Sequence, residues 1–260
     1  MLAGYLASIL IGFSLGLIGG GGSILTLPVL VYLFHLPPAL ATSYSLFIVG
    51  TTSLAGTISN YQQGHVHTKT ALLFGATSVS TVFVVRRFLL PNIPDTLLAI
   101  GDWQLTHSLA TMVLFAMLML LASISMIRNR PVQKNTAQKQ LPHYLLFMYG
   151  IAIGIVTGFL GAGGGFLIIP ALVLLCKLDM KQAIGTSLLI ITLNSLIGFT
   201  GDLGQHQIDW TFLFSVTAIA IVGLLVGGII SHKTDAAKLK RGFGWFVLVM
   251  GIYILLKEIL

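Results

Sequence analysis

The feature that most constrains this chain is a glycine cluster set inside an apolar segment and written twice. Residues Gly158 to Pro170 read Gly-Phe-Leu-Gly-Ala-Gly-Gly-Gly-Phe-Leu-Ile-Ile-Pro, and Gly16 to Pro28 read Gly-Leu-Ile-Gly-Gly-Gly-Gly-Ser-Ile-Leu-Thr-Leu-Pro. An offset of 142 positions superposes the prolines and, without a gap, Gly12 on Gly154, Gly19 on Gly161, Gly21 on Gly163 and Gly22 on Gly164. The match continues through Ser45 with Ser187, Ser53 with Ser195, Gly56 with Gly198 and Gln63 with Gln205. The chain is one unit repeated.

Each glycine costs a helix roughly 1 kcal/mol relative to alanine, so four together stop it. The following proline cannot bond four residues back and frees the carbonyl of Ile24 in one copy and of Phe166 in the other. The surroundings decide what that means. The 260 residues are 56% hydrophobic and 8% charged, with a mean hydropathy of +0.96, which describes a polytopic membrane protein. Unsatisfied backbone is not tolerated against lipid, so the breaks must lie inside the protein or line a wet cavity. Paired breaks in matching halves point to the binding site of a transporter.

A formal charge of +7 would suit nucleic acid in a soluble protein, but here excess Lys and Arg record topology, and no nucleic-acid partner is expected. The N-terminus has no basic region or small-residue cleavage site, so the first segment is expected to stay. The lone Cys176 faces Phe34 in the repeat, which leaves no intrachain disulfide. Nothing calls for a cofactor or metal.

Apolar segments run over about 2–34, 39–60, 70–90 and 106–127, then 144–176, 183–201, 210–230 and 243–256. The polar run 128–143 between them is a linker, giving a first membrane repeat at 1–127 and a second at 144–260. At 1.5 Å per residue the first segment of each repeat is about 50 Å long, too much for one crossing of a ~30 Å core and too little for two. A hairpin of two short helices turning at the glycines solves this. Charge supports it. With hairpins, one side collects Lys69, Arg128, Arg130, Lys134, Lys139, Lys177, Lys181, Lys233, Lys238, Lys240 and Arg241, leaving Arg86, Arg87 and Lys257 on the other. The positive-inside rule then puts the linker in the cytoplasm and both termini outside. The fold class expected is an all-α polytopic membrane protein of two inverted-topology repeats, with eight hydrophobic segments and up to ten helices.

The glycine breaks, together with Ala183-Ile-Gly-Thr-Ser-Leu188 and its degenerate copy Ala41-Thr-Ser-Tyr-Ser-Leu46, resemble the TauE/SafE sulfite exporter family, also called the toluene sulfonate uptake permease family. The likeness covers both halves. It implies a carrier of the bacterial inner membrane that exports sulfite or small organosulfonates, with proton coupling. The first copy departs at Ser43 and Tyr44, where the second has Gly185 and Thr186.

No acid falls in the middle of an apolar segment, which argues against a cation carrier. No Lys or Arg is expected there either, so an anion would be held by neutral donors and by helix N-termini. The second short helices are expected to start at Ser23 and Gly165. The pocket residues expected are Gly21, Gly22, Ser23, Ser45, Gly163, Gly164, Gly165, Thr186, Ser187 and Asn194. Gly12, Gly16 and Gly19, spaced four and three apart, suit tight helix packing instead. Asp202 and His206 are the candidates for proton coupling, histidine because it titrates near neutral pH. Arg86 and Arg87 read as anchors reaching to the interface.

A secondary carrier of a small sulfur-containing anion, working by alternating access, is thus the first functional reading, and a passive anion channel on the same fold the second. An enzyme is not expected, since H-E-x-x-H, G-x-S-x-G and cysteine pairs are absent. The partners are the bilayer and the anion, with homo-oligomerisation left open.

Overall fold

The computed structural model describes residues 2–94, 96–100, 103–128, 143–205, 207–231 and 236–259. Each half supplies five helices in the same order. The first half has α1 (Leu2–Ile18), a 3₁₀ run at Gly19–Leu25, α2 (Thr26–Pro28) continuing as a π-turn over Val29–Leu33, α3 (Pro38–Gln62), α4 (Thr68–Val84, continuing to Asn92) and α5 (His107–Ile127). The second has α6 (His143–Leu160), α7 (Gly165–Leu175), α8 (Met180–Asp202), α9 (Trp210–Ser231) and α10 (Ala236–Ile259). A short antiparallel hairpin, β1 (Thr96–Ile100) with β2 (Trp103–Thr106), connects α4 to α5. It is the one departure from an all-helical reading among the described residues. Among the described residues five helices, Pro38–Gln62, Thr68–Asn92, His107–Ile124, Met180–Asp202 and Trp210–Ile230, are long and apolar enough to cross a bilayer.

The long first segments are hairpins. The Phe34 ring, at the end of the first one, sits where a Cβ on Gly4 would come within 2.5 Å of it, and it meets the Tyr5 ring edge-on at 5.4 Å. The second short run therefore returns beside the start of α1. Gly22 lies against the Leu15 amide and Ser14, while its counterpart Gly164 lies against Thr157 and Ile153, so both chains fold back on their own first helix. The exits match too. His35 and Lys177, 142 positions apart, are the two non-glycine residues with positive φ among the described residues, at 56° and 54°. The next amides reach back to similar carbonyls, Leu36 to Leu30 and Leu178 to Leu172, a left-handed helix cap in each copy.

Packing respects the repeat. Helix α1 lies on α9, and its repeat equivalent α6 lies on α4. In the first pair Gly12 abuts the Ala220 carbonyl and Gly16 that of Leu224, while Gly223 and Gly227 abut Ile9 and Phe13. In the second, Gly150 and Gly154 face Thr77 and Thr81. Gly12 and Gly16 thus serve close helix approach, as their spacing suggests. Gly19 instead opens the break with φ at 71°. The equivalent helices α3 and α8 pack on each other and run antiparallel: Gly56 faces Leu188, and Gly198 faces Leu46.

Candidate functional site

The two glycine breaks meet backbone to backbone at the centre of this arrangement. A Cβ on Gly165 would lie 2.3 Å from the Gly20 carbonyl oxygen, and one on Gly20 would lie 2.5 Å from the Gly165 Cα. In the second copy Gly161, Gly163 and Gly164 take φ of 65°, 65° and 69°, which only glycine adopts freely. These left-handed residues let α7 start cleanly at Gly165. The first copy differs from expectation. Ser23 does not start an α-helix but lies in the 3₁₀ run, and the α-helical turn begins at Thr26.

Beside the breaks, α3 and α8 supply a polar seam. Asn194 donates through Nδ2 to the Ser78 hydroxyl at 2.8 Å, and its Oδ1 is buried without a partner among the described residues. The Ser195 hydroxyl is also buried and unpartnered, and a Cβ on Gly163 would come within 2.8 Å of it. The repeat counterparts, Thr52 and Ser53, are buried with unpartnered hydroxyls as well. A buried polar group without a partner costs about 1–3 kcal/mol, so four at one seam call for an explanation.

The expected pocket residues divide. Ser45 is buried and unpartnered, and Asn194 keeps a free oxygen. Ser23 donates to the Gly20 carbonyl at 2.9 Å and Ser187 to that of Ile184 at 2.8 Å. Thr186 accepts the His67 amide at 2.9 Å at the α3–α4 connection. Gly21, Gly22 and Gly163 to Gly165 form the breaks. Thr52, Ser53 and Ser195 were missed, although the repeat offset aligned Ser53 with Ser195 and so marked a recurring hydroxyl.

The charged residues require a correction. Arg86 is not an interfacial anchor: it is 2% exposed and pairs through Nη1 with Asp202 Oδ2 at 2.9 Å. The same Nη1 donates to Thr42 Oγ1 at 3.1 Å, and Ser43 donates its hydroxyl to Asp202 Oδ2. Arg87, by contrast, is exposed. Asp202 is the last residue of α8 and is 4% exposed, so it does not sit in an open polar loop. Gln205 closes the group by donating to the Gly201 and Arg86 carbonyls. His206 lies outside the described residues. A cavity of about 190 Å³ opens beside the pair, lined also by His107 at the start of α5.

A family profile described as "Sulfite exporter TauE/SafE" matches residues 5–254. A "probable membrane transporter protein" of Xylella fastidiosa is 31% identical over 252 residues, covering 95% of this chain and 91% of the relative. The "probable membrane transporter protein YdhB" of Bacillus subtilis is 28% identical, covering 96% and 98%. A "probable membrane transporter protein" of Haemophilus influenzae is 23% identical, covering 97% of each. No solved structure matches significantly.

Proposed function

Because the chain belongs to the sulfite exporter TauE/SafE family and is a multi-pass membrane transporter, we propose that it is a secondary carrier exporting a small sulfur-containing anion, sulfite or an organosulfonate. The observation that carries this is the seam at the crossing breaks: Thr52, Ser53, Asn194 and Ser195, all buried and each with an unpartnered oxygen. None of them is charged, and all four can turn donors toward an anion. Hydroxyls donate freely by rotating. The Ser78 hydroxyl can accept or donate, so turning the Asn194 amide over keeps that bond and presents its two N–H donors to the seam. The N-terminus of α7 at Gly165 adds a positive dipole end nearby.

Alternating access between inverted repeats, 1–127 and 144–260 joined by a cytoplasmic linker at 128–143, is supported by the antiparallel crossing of equivalent helices α3 and α8. The seam proposed for binding is formed by α3 and α8, one from each half, which supports rocking about a fixed site. For proton coupling, Asp202 is the group to test, with His206 as its neighbour in sequence. Asp202 holds Arg86 Nη1 together with Thr42 Oγ1, so a change at Asp202 bears directly on Arg86.

The test is flux of labelled sulfite in proteoliposomes, with and without a pH gradient and under counterflow. Saturable, gradient-responsive counterflow that falls at least about tenfold in Asn194→Ala is expected, since one lost hydrogen bond to a charged ligand is worth roughly 1.5–3 kcal/mol. Leak without counterflow would identify a channel. No sulfite, sulfonate or competing oxyanion flux would defeat the anion assignment.

A further inference from the structure

We propose that the cavity beside Arg86 and Asp202 is a second anion-binding site, separate from the seam, which takes the same small oxyanion or sulfonate at one face of the protein. This rests on the reading of the chain as a carrier of such anions. The Arg86 guanidinium carries five N–H donors, and only Nη1 is engaged, by Asp202 and Thr42. Nε and Nη2 are both buried and without a partner among the described residues. Those two nitrogens share one edge of the guanidinium, the fork that grips two oxygens of an oxyanion side by side. His107 lines the same cavity, and its Nε2 is likewise buried and without a partner among the described residues. Three nitrogens from two helices, two of Arg86 and one of His107, therefore have no hydrogen-bond partner among the described residues.

Size and charge narrow the ligand. At about 190 Å³ the cavity is below the ~300–1,000 Å³ of pockets for drug-sized molecules, but it has room for a tetrahedral or pyramidal anion with water. Asp202 balances the Arg86 charge, so the attraction is tempered and the anion can leave again, as a transport pathway demands. The edge also reaches the second break. A Cβ on Gly161 would lie 2.6 Å from Arg86 Nη2, so the missing side chain there leaves the guanidinium its place. The site has no twin. The repeat counterparts of Arg86 and Asp202 are Gly228 and Asn60, and Gly19, the counterpart of Gly161, faces the apolar Ile184. The cavity thus distinguishes one face of the protein from the other.

Calorimetric titration of the detergent-solubilised chain with sulfite, and separately with sulfate and methanesulfonate, tests this. The key variant is Arg86→Gln/Asp202→Asn, which removes both charges and so leaves neither buried alone. It is expected to keep the wild-type unfolding midpoint and to bind the preferred anion about tenfold more weakly or worse, the scale of one lost charge-assisted bond. Arg86→Lys keeps the charge without the fork and is expected to weaken binding too, which covers the case in which the double variant does not fold. Both losses should persist in an Asn194→Ala background, where the seam is already impaired. Binding by either cavity variant within twofold of wild type, or no binding of any of the three anions by wild type, overturns the site. Absent flux of sulfite, sulfonate and competing oxyanions alike, with intact cavity-dependent binding, would overturn the carrier reading instead, so the two failures are distinguishable.

Discussion

Gly165 has no room for more than hydrogen. The Gly20 backbone occupies the place of its side chain on one side, and backbone cannot swing aside as a side-chain tip would. Forcing a methyl into a filled site costs typically 1–3 kcal/mol, and here it would also push the two breaks apart. Gly165→Ala is therefore expected to abolish flux and lower the unfolding midpoint. Gly75→Ala is the control: its nearest neighbour would be Ile190 Cγ1 at 3.9 Å, an ordinary contact. Within α4 it should be neutral or stabilising by up to ~1 kcal/mol, the helix-propensity gain. Flux and thermal unfolding in parallel check both, and a Gly165→Ala protein with wild-type flux would show that the breaks need not touch. That glycine was needed here was readable from clustering alone. Which hydroxyls stay free was not, because Ser23 and Ser187 choose between their own helix and a ligand according to tertiary surroundings. Arg86 was hidden for another reason. Its partner Asp202 lies 116 residues away, and the pair breaks the repeat that guided the reading of everything else.

At the scale of helices, segment length and charge were enough to foresee the hairpins, since ~50 Å of apolar helix has few ways to sit in a ~30 Å core. The detail inside them was not foreseeable. Pro170 is accommodated within α7, whereas Pro28 is followed by a π-turn over Val29–Leu33, a difference set by packing and not by the shared proline. The cross-pairing of helices was also beyond the sequence: α1 rests on α9 and α6 on α4, so each half lends its first helix to the other. Neither half can bury its glycine-lined faces alone. Residues 1–128 and 143–260 expressed separately are expected to be degraded or aggregated, while co-expressed they should reassemble and restore flux without a covalent linker. Co-purification of the two fragments through a tag on one measures this. A stable, monodisperse single half would mean that the interlocking is dispensable.

Over the whole molecule, the direction of the helices turns charge into an orientation. Helix α3 runs opposite to α8, and α4 runs alongside α8, since Asn194 meets Ser78 and Gly201 meets Arg86 along the same direction. The end where α4 and α8 finish therefore carries Arg86, Arg87, Asp202 and the β-hairpin. The opposite end, where those helices begin, carries Lys69, Lys177 and Lys181. By the positive-inside rule the lysine-bearing end is expected to be cytoplasmic, with the Arg86 cavity facing outward. Single cysteines in a Cys176→Ser background make this measurable, because Asn92 and Lys69 are both exposed at opposite ends. Asn92→Cys should react with a membrane-impermeant maleimide in intact cells, and Lys69→Cys only after permeabilisation. The reverse pattern would turn the protein over, placing the Arg86 site on the cytoplasmic face. For the proposed exporter the proposed cavity site would then be a capture site and not an exit, so this labelling result tests which way such a site would serve transport.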